Sequence, residues 1–188
     1  MMKKSTIVLL VIGVIILGII IFAISGYNSL VKMEEEVNSA FSNIDTNLQR
    51  RADLIPNLVS TVKGFASHET EVINSVTEAR AKLAGASTVE EKANADSELT
   101  SALNRLMIVV ENYPDLKSSE NFRQLADELA GTENRIAVAR RDYNEMVKKY
   151  NSQRKKFPTN ILAGMFGFES KEYFEASDNA SEVPNVEF

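Results

Sequence analysis

The 188 residues carry a net charge of −5, no cysteine and no tryptophan. Without cysteine there is no disulfide, thiolate metal site, acylated cysteine or thiol nucleophile, so packing alone must hold the fold. Few glycines and prolines, with much Ala, Glu, Lys, Leu, Asn and Ser, favour helix over sheet, and a mildly acidic balance gives no reason to expect nucleic acid, whose phosphates demand clustered Lys and Arg.

From Ser5 to Val31 there is no charged residue, and Ile7 to Ile24 is almost pure Ile, Val and Leu. A charge-free apolar run of about 18 residues or more has the length of a membrane-spanning helix. We expect Ile7, Leu10, Ile15, Ile20 and Ile24 to lie in lipid. The competing reading is a cleavable signal peptide. Ala23-Ile24-Ser25 has the small-x-small look of a cleavage site, but such peptides have a shorter apolar region of about 7–15 residues. Lys3 and Lys4 precede the run, while Lys32 and then Glu34, Glu35 and Glu36 follow it. The excess of positive charge before the run puts the N-terminus in the cytoplasm and the main domain outside. Gly13 and Gly18 are five apart, not the four of a GxxxG dimer face, so no transmembrane dimer is expected from them.

Beyond the anchor, about 160 residues remain, enough for one domain with its own core. Apolar residues recur there at steps of three and four. One stripe runs Leu30, Met33, Val37, Phe41, Ile44, Leu48. A second runs Leu54, Leu58, Val62, Phe65, then Val72, Val76, Ala79 and Leu83. Either these are two antiparallel helices broken near Arg51 to Pro56, the preferred reading, or they are one long helix kinked at Pro56. Gly85-Ala86-Ser87 ends the second stripe, and Ser87 or Thr88 with Glu91 has the form of a helix start. A third stripe, Leu99 to Val110, stops at Asn112-Tyr113-Pro114-Asp115, because Pro114 disfavours helix at the residue before it. Ser119 with Phe122 opens the last and longest stripe, which passes Gly131 and ends before Phe157-Pro158. No stretch alternates with period two. The expected fold is all-α: a transmembrane helix followed by an antiparallel up-and-down four-helix bundle, with segments of similar length.

The residues Tyr27-Asn28, Arg50-Arg51-Ala52-Asp53-Leu54-Ile55-Pro56-Asn57-Leu58-Val59, His68-Glu69, Glu78-Ala79-Arg80 and Glu111-Asn112-Tyr113-Pro114-Asp115-Leu116-Lys117 resemble those of the LemA family. So do Asn121-Phe122, Thr132-Glu133-Asn134-Arg135-Ile136-Ala137, Ala139-Arg140-Arg141, Tyr143-Asn144, Tyr150-Asn151, Phe166-Gly167-Phe168 and Tyr173-Phe174. The resemblance extends to the closing Pro184-Asn185-Val186-Glu187-Phe188. Phe41 is a departure, since the family often has Trp there. The resemblance implies a bacterial, membrane-anchored helical bundle with no established catalytic role. It also implies a link to membrane organisation, as in magnetosome formation, or to membrane proteases, which is association and not mechanism.

No catalytic or metal-binding residue and no cofactor is expected. His68-Glu69 lacks the second His that a zinc helix places four residues on, and Phe65 stands where a ferritin-like site has Glu. Arg50, Arg51, Asp53 and Pro56 have two readings. They form a recognition tip at the end of the bundle farthest from the membrane, or Asp53 caps a turn while the arginines are solvated or paired with a neighbouring Glu. Glu78, Arg80, Glu133, Arg135, Arg140, Arg141 and Asp142 offer ion pairs between helices, each worth about 0–1 kcal/mol when exposed.

The most informative cluster is late. Lys148, Lys149, Arg154, Lys155 and Lys156 close the last helix with no acid among them, and an apolar run follows through Phe157, Phe166 and Phe168. In a four-helix bundle the last helix returns to the anchored end, so these residues form a membrane interface. The competing reading has the cations suiting a helix C-terminus and the apolar run capping the bundle. The chain thus divides into a cytoplasmic stub (1–4), an anchor (5–26), a bundle (27–156), an apolar and aromatic segment (157–176) and an acidic, flexible tail (177–188). Val186-Glu187-Phe188 has the carboxylate form that peptide-capture grooves read. The expected function is a non-enzymatic, membrane-anchored scaffold of the bacterial cell envelope. Its expected partners are the lipid bilayer, further copies of the chain or another envelope protein, and the alternative function is a binding adaptor for a protein such as a membrane protease.

Overall fold

In the computed structural model, which describes residues 4–175, the chain is all-helical, with no strand among the described residues. The helices are α1 (Lys4–Phe65), α2 (Thr70–Gly85), α3 (Val89–Val110), α4 (Pro114–Ser118), α5 (Glu120–Lys155) and α6 (Thr159–Phe166). They group into two units, Met1–Ser39 with Glu145–Lys171, and Ala40–Asn144 with Glu172–Phe188. Below, these are the first and the second unit. The acidic tail from 177 onward, with Val186-Glu187-Phe188, lies outside the described residues, as do Met1 to Lys3.

The expected break near Arg51 to Pro56 does not occur. Pro56 lies inside α1, and the chain breaks instead at 66–69. A proline inside a helix has no N–H for the carbonyl four residues back and costs about 3 kcal/mol or more. Here the carbonyl in question, Ala52 O, accepts a hydrogen bond from Arg80 Nε on α2 at 2.8 Å. The donor that Pro56 lacks is supplied by another helix, and α1 continues. The helical lengths are therefore unequal, 62 residues for α1 against 16 for α2 and 22 for α3.

Other boundaries follow local chemistry. Thr88 and Glu91 form a reciprocal capping box at the start of α3: Glu91 N–H donates to Thr88 Oγ1 at 3.1 Å, and Thr88 N–H to Glu91 Oε2 at 3.1 Å. Such a cap contributes about 1 kcal/mol. Pro114 opens the short α4, where its missing N–H costs nothing. Ser119 Oγ accepts from Phe122 N–H at the head of α5.

The core of the second unit is a set of helical stripes. Ile44, Leu48, Ile55, Leu58 and Val62 of α1 are buried, with Ile73, Val76, Ala79 and Leu83 of α2, Leu99, Leu106 and Val110 of α3, and Phe122 and Ile136 of α5. Each large side chain stabilises by about 1.5–3 kcal/mol on burial. Cross-helix contacts give the directions. Lys92 pairs with Asp45, and Asp96 with Arg51, so α3 runs the same way as α1. Arg51 pairs with Glu133 and Phe41 meets Tyr143, so α5 runs the opposite way.

Candidate membrane-interface site

Ile7, Leu10, Ile15, Ile20 and Ile24 all lie on α1 with their side chains exposed. That helix carries the one stretch among the described residues long and apolar enough to cross a membrane. In water, such a surface is unfavourable at about 25 cal/mol per Å², so it belongs in lipid. The run stops at Ile24, and two residues later the first unit begins to pack. Gly26 sits against α6 so closely that a Cβ there would stand 2.7 Å from Leu162 Cδ1. Tyr27 meets Phe166 and Phe168 edge-on, with ring centroids 4.9 and 5.6 Å apart.

Helix α6 buries Thr159, Leu162 and Ala163 and leaves its other side bare. Phe157 is 81% exposed and Met165 72%, with Ile161 and Phe166 also exposed. Ile161 and Met165, four residues apart, share one face of α6, and Phe157 lies in the turn just before it. The apolar run from Phe157 to Phe168 was expected at the membrane interface, but not as a helix, and its packing on Gly26 and Tyr27 was not foreseen. Gly167, in the left-handed region at φ 73°, ends the helix, and Phe168 N–H returns to Ala163 O at 3.0 Å.

After Gly167 the chain becomes an extended strap recognised through its main chain. In the first unit, Asn151 Nδ2 donates to Lys171 O at 2.8 Å and Asn151 Oδ1 accepts from Lys171 N–H at 3.0 Å. Tyr150 Oη donates to Glu169 O at 2.9 Å, and Arg154 Nη1 to Phe168 O at 3.2 Å. In the second unit, Asn144 grips Phe174 through the same pair of bonds, at 3.3 and 2.8 Å, while Tyr143 Oη donates to Glu172 O at 2.8 Å. Burial first, then Glu172, pushes the Tyr143 hydroxyl up to about 12, so it stays a donor. The Tyr-Asn pair repeats after seven residues on α5, and its strap partners Lys171 and Phe174 are three apart.

Of the expected interface residues, Lys148, Lys149, Lys155, Lys156, Phe157 and Phe166 are exposed, and Phe168 is half-buried on Tyr27. Arg154 is turned toward the strap.

The expected tip residues are not at a helix end. Arg50, Arg51, Asp53 and Pro56 lie within α1. Asp53 accepts from Gln49 at 2.9 Å and caps no turn. Arg51 is 3% exposed and ties α1 to Asp96 of α3 at 2.6 Å and to Glu133 of α5 at 2.7 Å. Burial raises the Asp96 carboxyl above the usual range; Arg51 pulls it down in part, and Glu133 adds to the rise. Only Arg50 faces solvent beside other cations, in an open groove with Arg123, Arg135, Glu120, Asp127 and Glu128. His68 is exposed, and no metal-holding cluster of His, Asp or Glu occurs among the described residues.

The comparisons with known proteins agree with the motifs. The LemA family model matches residues 40–188. The magnetosome protein MamQ 2 of Paramagnetospirillum magneticum is 32% identical over 175 residues, covering 79% of this chain and 64% of that protein. The magnetosome protein MamQ of Magnetospirillum gryphiswaldense is 29% identical, covering 85% and 70%. Protein LemA of Metamycoplasma hominis is 30% identical over 171 residues, covering 88% and 76%. The chain thus spans 64% of the length of the first of these relatives. A family match over residues 40–188, most of the chain, means that this chain belongs to the LemA family.

Proposed function

We propose that this chain is a non-enzymatic, single-pass scaffold of the bacterial cell envelope that touches the bilayer twice, through the apolar run of α1 and through α6. Four helical stretches, from α1, α2, α3 and α5, form its up-and-down bundle. Its N-terminus is cytoplasmic and its main domain lies outside. The observation that carries this reading is the seating of α6. Phe166 and Phe168 pack on Tyr27 just past the apolar run, while Phe157, Ile161 and Met165 remain bare. An amphipathic helix at that level lays its apolar face into the headgroup boundary. The magnetosome relatives agree with a role in membrane organisation.

The chain has no cysteine, so single-cysteine labelling is clean. A fluorophore on Met165→Cys, in the full chain reconstituted into vesicles, should be quenched by nitroxide lipids labelled near the headgroup. A label at Asn104, exposed on α3, should not. Equal, weak quenching at both positions would sink the second contact. The charged groove at Arg50, Arg123 and Arg135 favours the adaptor reading instead. Crosslinking in native membranes separates the two: a scaffold returns mainly self-contacts, an adaptor a stoichiometric foreign partner.

A further inference from the structure

The last turns of α5 carry a feature that a bare hydrophobic contact does not need. An open groove in the first unit is lined by Met33 of α1, by Glu145, Lys148, Lys149, Ser152 and Gln153 of α5, and by Lys156 just past the end of α5. The α5 residues fall at steps of three and four and so share one face. Within that face Lys149 is neutralised by Glu145 at 2.7 Å. Lys148 and Lys156 have no ion pair among the described residues. No acid occurs in the sequence between Glu145 and Glu169.

Arg154, from the same basic run, is not part of this set, because its guanidinium is spent on Phe168 O. The groove therefore sorts the cluster into cations held for the strap and cations left for a ligand. Ser152 and Gln153 add neutral donors between them, and Met33 gives an apolar wall.

We infer that this groove binds the phosphodiester headgroup of an anionic lipid. The inference rests on the membrane contact of α6 proposed above. Four features of the groove select that occupant. A phosphodiester offers only acceptors, which matches lysine ammonium groups with a hydroxyl and an amide. Its glycerol carbons suit the Met33 wall. α6 begins three residues after Lys156 and packs against Gly26 and Tyr27, where the apolar run ends, so the groove opens next to the lipid surface. The unpaired lysines also give the groove a charge that a zwitterionic headgroup does not complement.

The placement predicts a gradient. Lys148 lies eight residues before Lys156, which follows the last residue of α5, a separation of about 12 Å along the helix that exceeds the screening length of about 8 Å in physiological salt. Lys156 should therefore contribute most, with a loss of roughly fivefold in affinity on removal, the size of one charge at an anionic surface.

The test uses the full chain in detergent micelles, titrated with phosphatidylglycerol, phosphatidylcholine, inorganic phosphate or polyglutamate and read by native mass spectrometry. We expect retention of phosphatidylglycerol over phosphatidylcholine. The preference should weaken roughly fivefold in Lys156→Gln, less in Lys148→Gln, and not at all in Lys63→Gln, a change of an exposed lysine in the second unit. Equal losses in all three variants would mean diffuse charge and overturn the site. Displacement by phosphate at matched concentration would make it a free-anion site, and displacement by polyglutamate would make it a protein-docking face. Either result overturns the lipid assignment. Failure here with the Met165 label still quenched in vesicles would strike this groove alone; loss of quenching would strike the membrane contact beneath it.

Discussion

The two units stabilise themselves by opposite uses of polarity. The second unit takes a guanidinium inside and shares it among three helices through Asp96 and Glu133. The first unit turns large apolar groups outward on α1 and α6 and holds its inside together with aromatic edges and amide bonds to a strap. In water the second arrangement would be the anomaly, since exposed Phe157 and Met165 gain nothing there. In lipid, the burden falls on the buried charge, because the ion pair must repay its desolvation wherever it sits. The network is also incomplete, as Arg51 Nε has no hydrogen-bond partner among the described residues. What the difference teaches is that burial has to be judged against the solvent each unit meets.

The sharpest way to break this comparison is Arg51→Met. It leaves Asp96 buried without a cation, and we expect a loss on the order of 3–5 kcal/mol in chemical denaturation. Arg51→Met with Asp96→Leu should recover most of it, because Glu133 is partly exposed and can turn to water. No recovery would mean that the charges do more than balance one another.

Next in size is Arg80→Ala, which orphans the Ala52 carbonyl and should cost about 1.5–3 kcal/mol. In a Pro56→Ala background the helix regains its own donor, and the same change should cost nearly nothing. Equal costs in both backgrounds would refute the pairing of Pro56 with Arg80.

In the first unit, Asn151→Ala should cost about 1–2 kcal/mol. It should speed hydrogen exchange at the Lys171 amide and leave the amides of α3 unchanged. Smallest is a pH effect at Asp96. Its carboxyl is raised in the fold above the ordinary value of 3.8, so the native state holds the proton more tightly than the unfolded chain. This contribution to stability is complete below the ordinary value and is lost as pH rises through the raised one. Asp96→Asn should flatten that part of the stability profile.

Much of this architecture was legible in the sequence where the cause is local. The apolar run from Ile7 to Ile24 has no globular alternative of that length, the Thr88–Glu91 box is a three-residue signal, and Pro114 stops α3 by its own shape. Most of the misreadings have distant causes. Pro56 looked like a break because its remedy, Arg80, is far away in sequence. For Arg51, pairing with a Glu on a neighbouring helix was one of the readings and Glu133 bears it out, but its burial was not foreseen because Asp96 is on α3, distant in sequence. α6 was too short to show a clear period, and the strap is gripped through atoms that every residue has. Of the candidate site, the basic cluster was visible as composition, but its division between Arg154 and the free lysines required the fold.

That grip on common atoms has an evolutionary consequence. Asn151 and Asn144 read the amide and carbonyl of Lys171 and Phe174, so the strap tolerates most side chains between them, while Phe174, with its ring buried, and Lys171, whose ammonium pairs with Glu34, are held to a type. Proline is the exception: it lacks the hydrogen that each asparagine accepts. A lineage can rewrite Ser170, Glu172 and Tyr173 to suit a new neighbour without unfastening the strap, provided that proline never arrives at 171 or 174.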